Sequence, residues 1–425
     1  MKRSILFVGI AGIVALGLGA AATQAARNPL FSSTTLSARS ANVAGDAGYR
    51  ALSSNRATTS LRVVQADASL IGDQTDVLPL GLGDLGTAFR QYSRRNPDGT
   101  QVWYGTLGKR FGLVDTLRYK ATGEIADDPN NSVMIVRQGN QMSGTIRANG
   151  QLYTLQPLAK GGGHVIARID ESRMPADHPA AYTDMWRASL AEHPQVKAAT
   201  TRATALAPVT VRVMVVFSTA AATAVGNTTT KANLAISESN QSFANSGANM
   251  SFQLAGVYTA NYVNSTFDTD LSRFRGTTDG YLDSYHTTRN NIAADVAVLI
   301  TTNTQYCGLG YLNSTAATAF SVTAASCMTG YYSFAHEIGH NFGARHDPAT
   351  DPSTTPVAYA HGYRSPTNAW RTIMAYNCTN AGGCPRINYW SNPAKTYNGQ
   401  AMGTAATSNN TRQLNERVAT VAAFR

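Results

Sequence analysis

Residues 331–347 read Tyr-Tyr-Ser-Phe-Ala-His-Glu-Ile-Gly-His-Asn-Phe-Gly-Ala-Arg-His-Asp. Phe334, Ile338 and Phe342 recur every four residues, so a helix would bury them as one ridge. His336 and His340, also one turn apart, lie about 200° around from that ridge, because each residue advances about 100°. The predicted helix is apolar behind and imidazole in front. Gly343 then ends it, since glycine enters left-handed backbone without a Cβ clash, and the reversal lets His346 return to the first two imidazoles.

Two imidazoles one turn apart can bind one zinc ion, and Glu337 beside the first can reach a water without being a ligand. Three neutral histidines leave zinc its charge and an open position for water, whose pKa it lowers to about 7. The spacing therefore predicts His336, His340 and His346 as ligands of one catalytic zinc and Glu337 as general base. His164, His178, His193 and His286 have no such spacing, and His361 reads as a structural hydrogen-bonding residue.

The 425 residues, 43% of them hydrophobic, suffice for two domains and exclude a wholly disordered chain. The net charge of +10 is uneven: 13 basic and 10 acidic side chains follow residue 205, which leaves +7 to the first 205 residues. No lysine or arginine run tracks a phosphate backbone, so no nucleic-acid partner is expected. Met1, Lys2 and Arg3, an apolar run over 5–21 and small residues at Ala22, Thr23 and Ala25 have the order of a signal peptide, residues 1–25. The mature chain is expected to be secreted, free of the membrane after signal removal, and monomeric. Cys307, Cys327, Cys378 and Cys384 in an exported chain predict two disulfides. Of three possible pairings the sequence-local one is expected, Cys307 with Cys327 and Cys378 with Cys384.

Apolar segments over 133–169 alternate with turn signals, Asn149-Gly150 among them, and predict an antiparallel meander. Residues 198–207 read as a linker. Beyond Pro208 the pattern changes. Val209, Val211, Val213 and Val215 alternate as a strand, Ala232, Ile236, Ser239 and Phe243 share a helical face, residues 251–258 read as a strand, and 296–300 is a run suited to a sheet centre. Leu414, Val418 and Val421 mark a terminal helix. The expected organisation is a signal peptide (1–25), a mainly β propeptide (26–205) and an α/β catalytic domain (206–425).

The segment resembles the metzincin zinc endopeptidases, whose pattern is H-E-x-x-H-x-x-G-x-x-H followed by a methionine turn. Thr372-Ile373-Met374-Ala375-Tyr376 is similar to that turn and would place Met374 beneath the metal. Asp347 is similar to the reprolysin branch, and Gly308-Leu309-Gly310-Tyr311 resembles its edge strand above the cleft. With the secretion signal and long leader, the combination most resembles the bacterial peptidyl-Asp metallopeptidases. Tyr376 instead resembles the zinc-ligating tyrosine of astacins and serralysins. The resemblance spans about 209–425 and implies a mixed twisted sheet with an active-site helix, Gly343, Asp347 and Met374 shaping the site, and Glu337 and Tyr376 in catalysis.

The resemblance further implies a secreted zinc endopeptidase that acts on proteins or peptides through zinc-activated water and is restrained by its own propeptide. The alternative is a zinc-stabilised binding or toxin module without turnover. Nothing indicates calcium, though it is possible. Cleavage at the amino side of aspartate, which the bacterial family implies, requires a cation in the receiving pocket, and Arg371 and Arg386 flank the methionine turn. The first 205 residues hold no cysteine to block a zinc ion. Glu171, Asp177 and His178 are the leader's candidate ligands for latency, against a purely steric block.

Overall fold

The computed structural model describes residues 28–33, 41–108 except 84, 128–178 except 160 and 161, residue 182, and 207–425 except 356 and 381. The expected signal segment and most of the expected linker lie outside the described residues.

The first half is a nine-stranded antiparallel sheet. Its strands are β1 (Phe31–Ser33), β2 (Thr58–Ala66), β3 (Val77–Pro79), β4 (Thr87–Arg95), β5 (Gln101–Leu107), β6 (Ser132–Gln138), β7 (Gln141–Ala148), β8 (Gln151–Pro157) and β9 (His164–Ile169). They run in the order β1-β2-β9-β8-β7-β6-β5-β4-β3, so β6 to β9 form the expected meander. Asn149 and Gly150 both have positive φ between β7 and β8, the backbone that a type I′ turn requires. One face buries Trp103, Ile135, Ile146 and Ile166.

The second half is built on a five-stranded sheet of order β11-β10-β12-β14-β13: β10 (Val209–Ser218), β11 (Met250–Ala260), β12 (Val296–Thr301), β13 (Gly308–Gly310) and β14 (Phe320–Ala324). All its pairings are parallel except that of edge strand β13 with β14. Every residue of β12 is buried, as a strand covered on both faces must be. The metzincin-like mixed sheet is thus present, and the mainly β character expected of the N-terminal region is borne out.

The helix Thr228–Ser246 starts with the Asn227 side chain accepting from Thr230 N–H and stops at left-handed Gly247. Ala232, Ile236 and Phe243 bury themselves against the second sheet as the periodicity predicts. Its other face is buried too. Leu234 packs among Val102, Tyr104, Met134 and Val136 of the first sheet, and Asn233 hydrogen-bonds Asp98. This helix therefore lies between the two sheets, which amphipathic patterning for one core does not reveal.

The expected disulfides, Cys307–Cys327 and Cys378–Cys384, are both present. The terminal helix is Asn410–Val421, with Leu414, Val418 and Val421 in the core.

Candidate metal and catalytic centre

The decisive segment forms the helix Ser333–Asn341. Phe334, Ile338 and Phe342 enter the core beside Val213, Val215 and Val298, which leaves the opposite face to His336 and His340. At the C-terminus Gly343 has φ +88°, its N–H donates to His340 O, and Ala344 N–H donates to Gly339 O. A Cβ on Gly343 would lie 2.6 Å from Gln413 Nε2, so conformation and space both favour glycine there.

The turn brings His346 back to the helix. Its Nε2 lies 3.3 Å from that of His336 and 3.1 Å from that of His340. His336 Nδ1 is 2.9 Å from Ile373 O and His340 Nδ1 is 2.8 Å from Ala344 O. Each of these two rings thus donates its Nδ1–H to a carbonyl and turns an Nε2 lone pair inward. Three converging lone pairs repel one another unless a cation lies between them. Their spacing suits tetrahedral zinc, for which bonds of about 2.0–2.1 Å set the nitrogens about 3.4 Å apart. Burial first, and neighbouring imidazoles second, push all three histidines well below their usual pKa, which keeps them in the ligating form.

Glu337 is fully buried beside this group, and burial pushes its carboxyl well above the usual range. One oxygen, Oε1, has no hydrogen-bond partner. Room for it is made by β13, since a Cβ on Gly308 would lie 2.4 Å from Oε1. The edge-strand glycines therefore have a steric reason that sequence pattern alone does not supply.

Met374 is fully buried, and its sulfur lies 3.0 Å from where a Gly339 Cβ would sit, under the helix that carries the histidines. Asp347 Oδ2 accepts from Tyr376 N–H at 3.0 Å and pairs with Arg364 at 3.0 Å. It thereby ties the residue after the third histidine to the methionine turn. The Tyr376 ring lies 4.5 Å from that of His346. His361 Nδ1–H donates to His346 O at 2.7 Å, the structural role expected of it.

A fourth imidazole arrives from the first half of the chain. His178 lacks the ligand spacing, yet it is buried and offers a ring nitrogen within 4.8 Å of those of His336, His340 and His346. Its Nε2 lies 3.0 Å from Glu337 Oε2 and its Nδ1 3.2 Å from the Tyr376 hydroxyl. Asp177, beside it, meets Arg386 at 2.6 Å and Arg371 at 3.5 Å. Burial alone would raise the Asp177 pKa, but the two guanidiniums outweigh it and hold the carboxyl below its usual value. Both arginines, the sequence's candidates for the pocket cation, are fully buried. Glu171 is corrected as a candidate metal ligand. It forms a two-pronged pair with Arg147 at 2.8 and 2.9 Å, and Arg147 also donates to Gly330 O. Its carboxylate is spent on Arg147, which in turn reaches the loop before the helix.

Residues 207–391 match the family described as Metallo-peptidase family M12. A peptidyl-Asp metalloendopeptidase of Stenotrophomonas maltophilia (strain K279a) is 47% identical over 98% of both chains. The chain belongs to this metallopeptidase family. A relative of the same name from Xanthomonas campestris pv. campestris is 45% identical over 97% of this chain and 98% of its own. One from Pseudomonas fragi is 48% identical over 190 residues, 44% of this chain and all of its own. Family membership makes the protein a zinc metalloendopeptidase with protein or peptide substrates, rather than a zinc-stabilised module without turnover. Among the described residues no helix is long and apolar enough to cross a membrane.

Proposed function

We propose that His336, His340 and His346 hold the zinc, that Glu337 is the general base, and that the enzyme cleaves at the amino side of aspartate. Zinc, when bound, polarises the peptide carbonyl and acidifies water. Glu337, kept dry and with one unpartnered oxygen, accepts a proton and passes it to the leaving amine. The Tyr376 hydroxyl, which already reaches a group at Glu337 through His178, donates to the oxygen that gains charge. Gly343, Asp347 and Met374 keep the third histidine, the turn and the helix floor in register.

The observation that carries the aspartate preference is the buried pair Arg371 and Arg386, which holds the carboxylate of Asp177, the residue before the one that meets Glu337. Such a pocket accepts a charged side chain and leaves two cations unpaired for a neutral one, a loss that strongly disfavours the wrong substrate. The names of the relatives agree with this reading. We also assign residues 1–25 to export, 26–205 to an inhibitory propeptide and 206–425 to catalysis in a secreted monomer. Mass spectrometry of peptides released from denatured casein tests the activity. Cuts before aspartate that stop with a chelator are expected, and cuts without regard to aspartate would overturn the preference.

A further inference from the structure

The leader places two consecutive side chains on two different parts of the centre. Asp177 lies between Arg386 and Arg371, and His178 lies between Glu337 and the Tyr376 hydroxyl. A neutral imidazole has one donor and one acceptor. One of its nitrogens meets the Glu337 carboxyl and the other the Tyr376 hydroxyl, and each of these neighbours can either donate or accept when it carries a proton. Both ring nitrogens are therefore satisfied by the groups expected to move a proton and stabilise an oxyanion.

The backbone holds this arrangement in place. Cys307 N–H donates to Ala176 O at 2.9 Å and Gly308 N–H to Asp177 O at 3.3 Å, so the segment pairs with the edge-strand region. Tyr182 stacks on His178 with ring centroids 4.2 Å apart, and its hydroxyl donates to Gly310 O. The peptide bond on the amino side of Asp177 is the one to Ala176, and its carbonyl oxygen is taken up by Cys307. What stands against Glu337 is an imidazole. The aspartate fills the pocket without presenting its own peptide bond for hydrolysis.

We infer that Asp177 and His178 form a built-in, substrate-mimicking inhibitor: Asp177 fills the pocket that selects acidic side chains, and His178 occupies the gap between Glu337 and Tyr376. This rests on reading Arg371 and Arg386 as that pocket. Latency and specificity then share one site. A peptide with aspartate competes with the leader, and its asparagine counterpart does not.

The test is hydrogen exchange at the Cys307 and Gly308 amides of the full-length chain, kept in chelator so that it cannot cut itself. Asp177→Asn and His178→Ala should each speed exchange at both amides at least tenfold, with strands β5 to β7 unchanged. In the wild-type chain, millimolar acetyl-Ala-Ala-Asp-Ala-amide should speed the same exchange and the asparagine peptide should not. That arm does not depend on a variant folding. With zinc restored, both variants should hydrolyse an aspartate peptide at least tenfold faster than the wild-type full-length chain. Unchanged protection in both variants, or equal action of the two peptides, overturns the inhibitor. Opened amides with no hydrolysis in any form would instead count against the endopeptidase centre and leave the inhibitor standing.

Discussion

The carboxylate of Asp177 and the guanidinium of Arg386 meet at 2.6 Å although 209 residues separate them, and both are buried. Arg386 also donates to Tyr331 O, immediately before the active-site helix. In the processed enzyme, Arg386→Ala should lower kcat/KM for an aspartate peptide about 10²-fold, since losing one partner of a buried charge pair costs about 2–5 kcal/mol. Hydrolysis of the asparagine peptide should change far less. Equal losses for the two peptides would show that Arg386 acts on the fold rather than on selectivity.

Glu337→Gln should retain zinc and lower hydrolysis by at least about 10², because general-base catalysis contributes about 10² to 10⁴. His346→Ala should lose zinc, since two ligands remain. Elemental analysis beside kinetics separates the two, and near wild-type activity of Glu337→Gln would sink the assignment.

Tyr376→Phe keeps the ring against His346 and removes the hydroxyl that reaches His178. Turnover should fall about 10²-fold with KM little changed, the mark of a contact made in the transition state. Full turnover at normal stability would leave Tyr376 as a packed residue of the turn.

Gly308→Ala places a Cβ 2.4 Å from Glu337 Oε1 and 2.5 Å from Glu337 Cγ. The carboxylate must turn aside, so kcat should drop at least about tenfold, a shift of about 1.4 kcal/mol in the barrier. Zinc content should stay whole because no ligand is touched. A fully active variant would show that Glu337 has another productive position.

His164 in β9 accepts from Met142 N–H through Nε2 at 3.1 Å, so the ring is neutral in the fold. Burial lowers its pKa from 6.5 to about 4. Between those values the unfolded chain holds a proton that the folded chain lacks, so this contribution is complete above pH 6.5 and is lost as pH falls towards 4. The full loss is about 3 kcal/mol. Thermal unfolding of the full-length chain should fall in temperature across that range, and less steeply for His164→Gln. Identical slopes would remove His164 as the cause.

Residues 331–347 carry their geometry in their spacing. Four-residue steps place Phe334 and Ile338 on one face and His336 and His340 on the other, and Gly343 supplies the reversal for His346. The alternation from Val209 and the apolar run of β12 are equally local, and so are the two disulfides, 20 and 6 residues apart. The sequence alone therefore determined the helix, the convergence of the three histidines and the sheet around them. It did not show that Leu234 faces a second sheet, that Arg371 and Arg386 are buried, or that Glu171 is spent on Arg147. In sequence His178 is only one of three candidate ligands for latency, and nothing local foretells its meeting with Glu337 and Tyr376. His178 meets Glu337 across 159 residues, and the partners of Asp177 lie as far away. Periodicity reports the direction of a side chain relative to its own helix or strand. Which distant cation or carboxylate waits there is decided by how the two sheets pack, and by the cost of burying a charge without a partner.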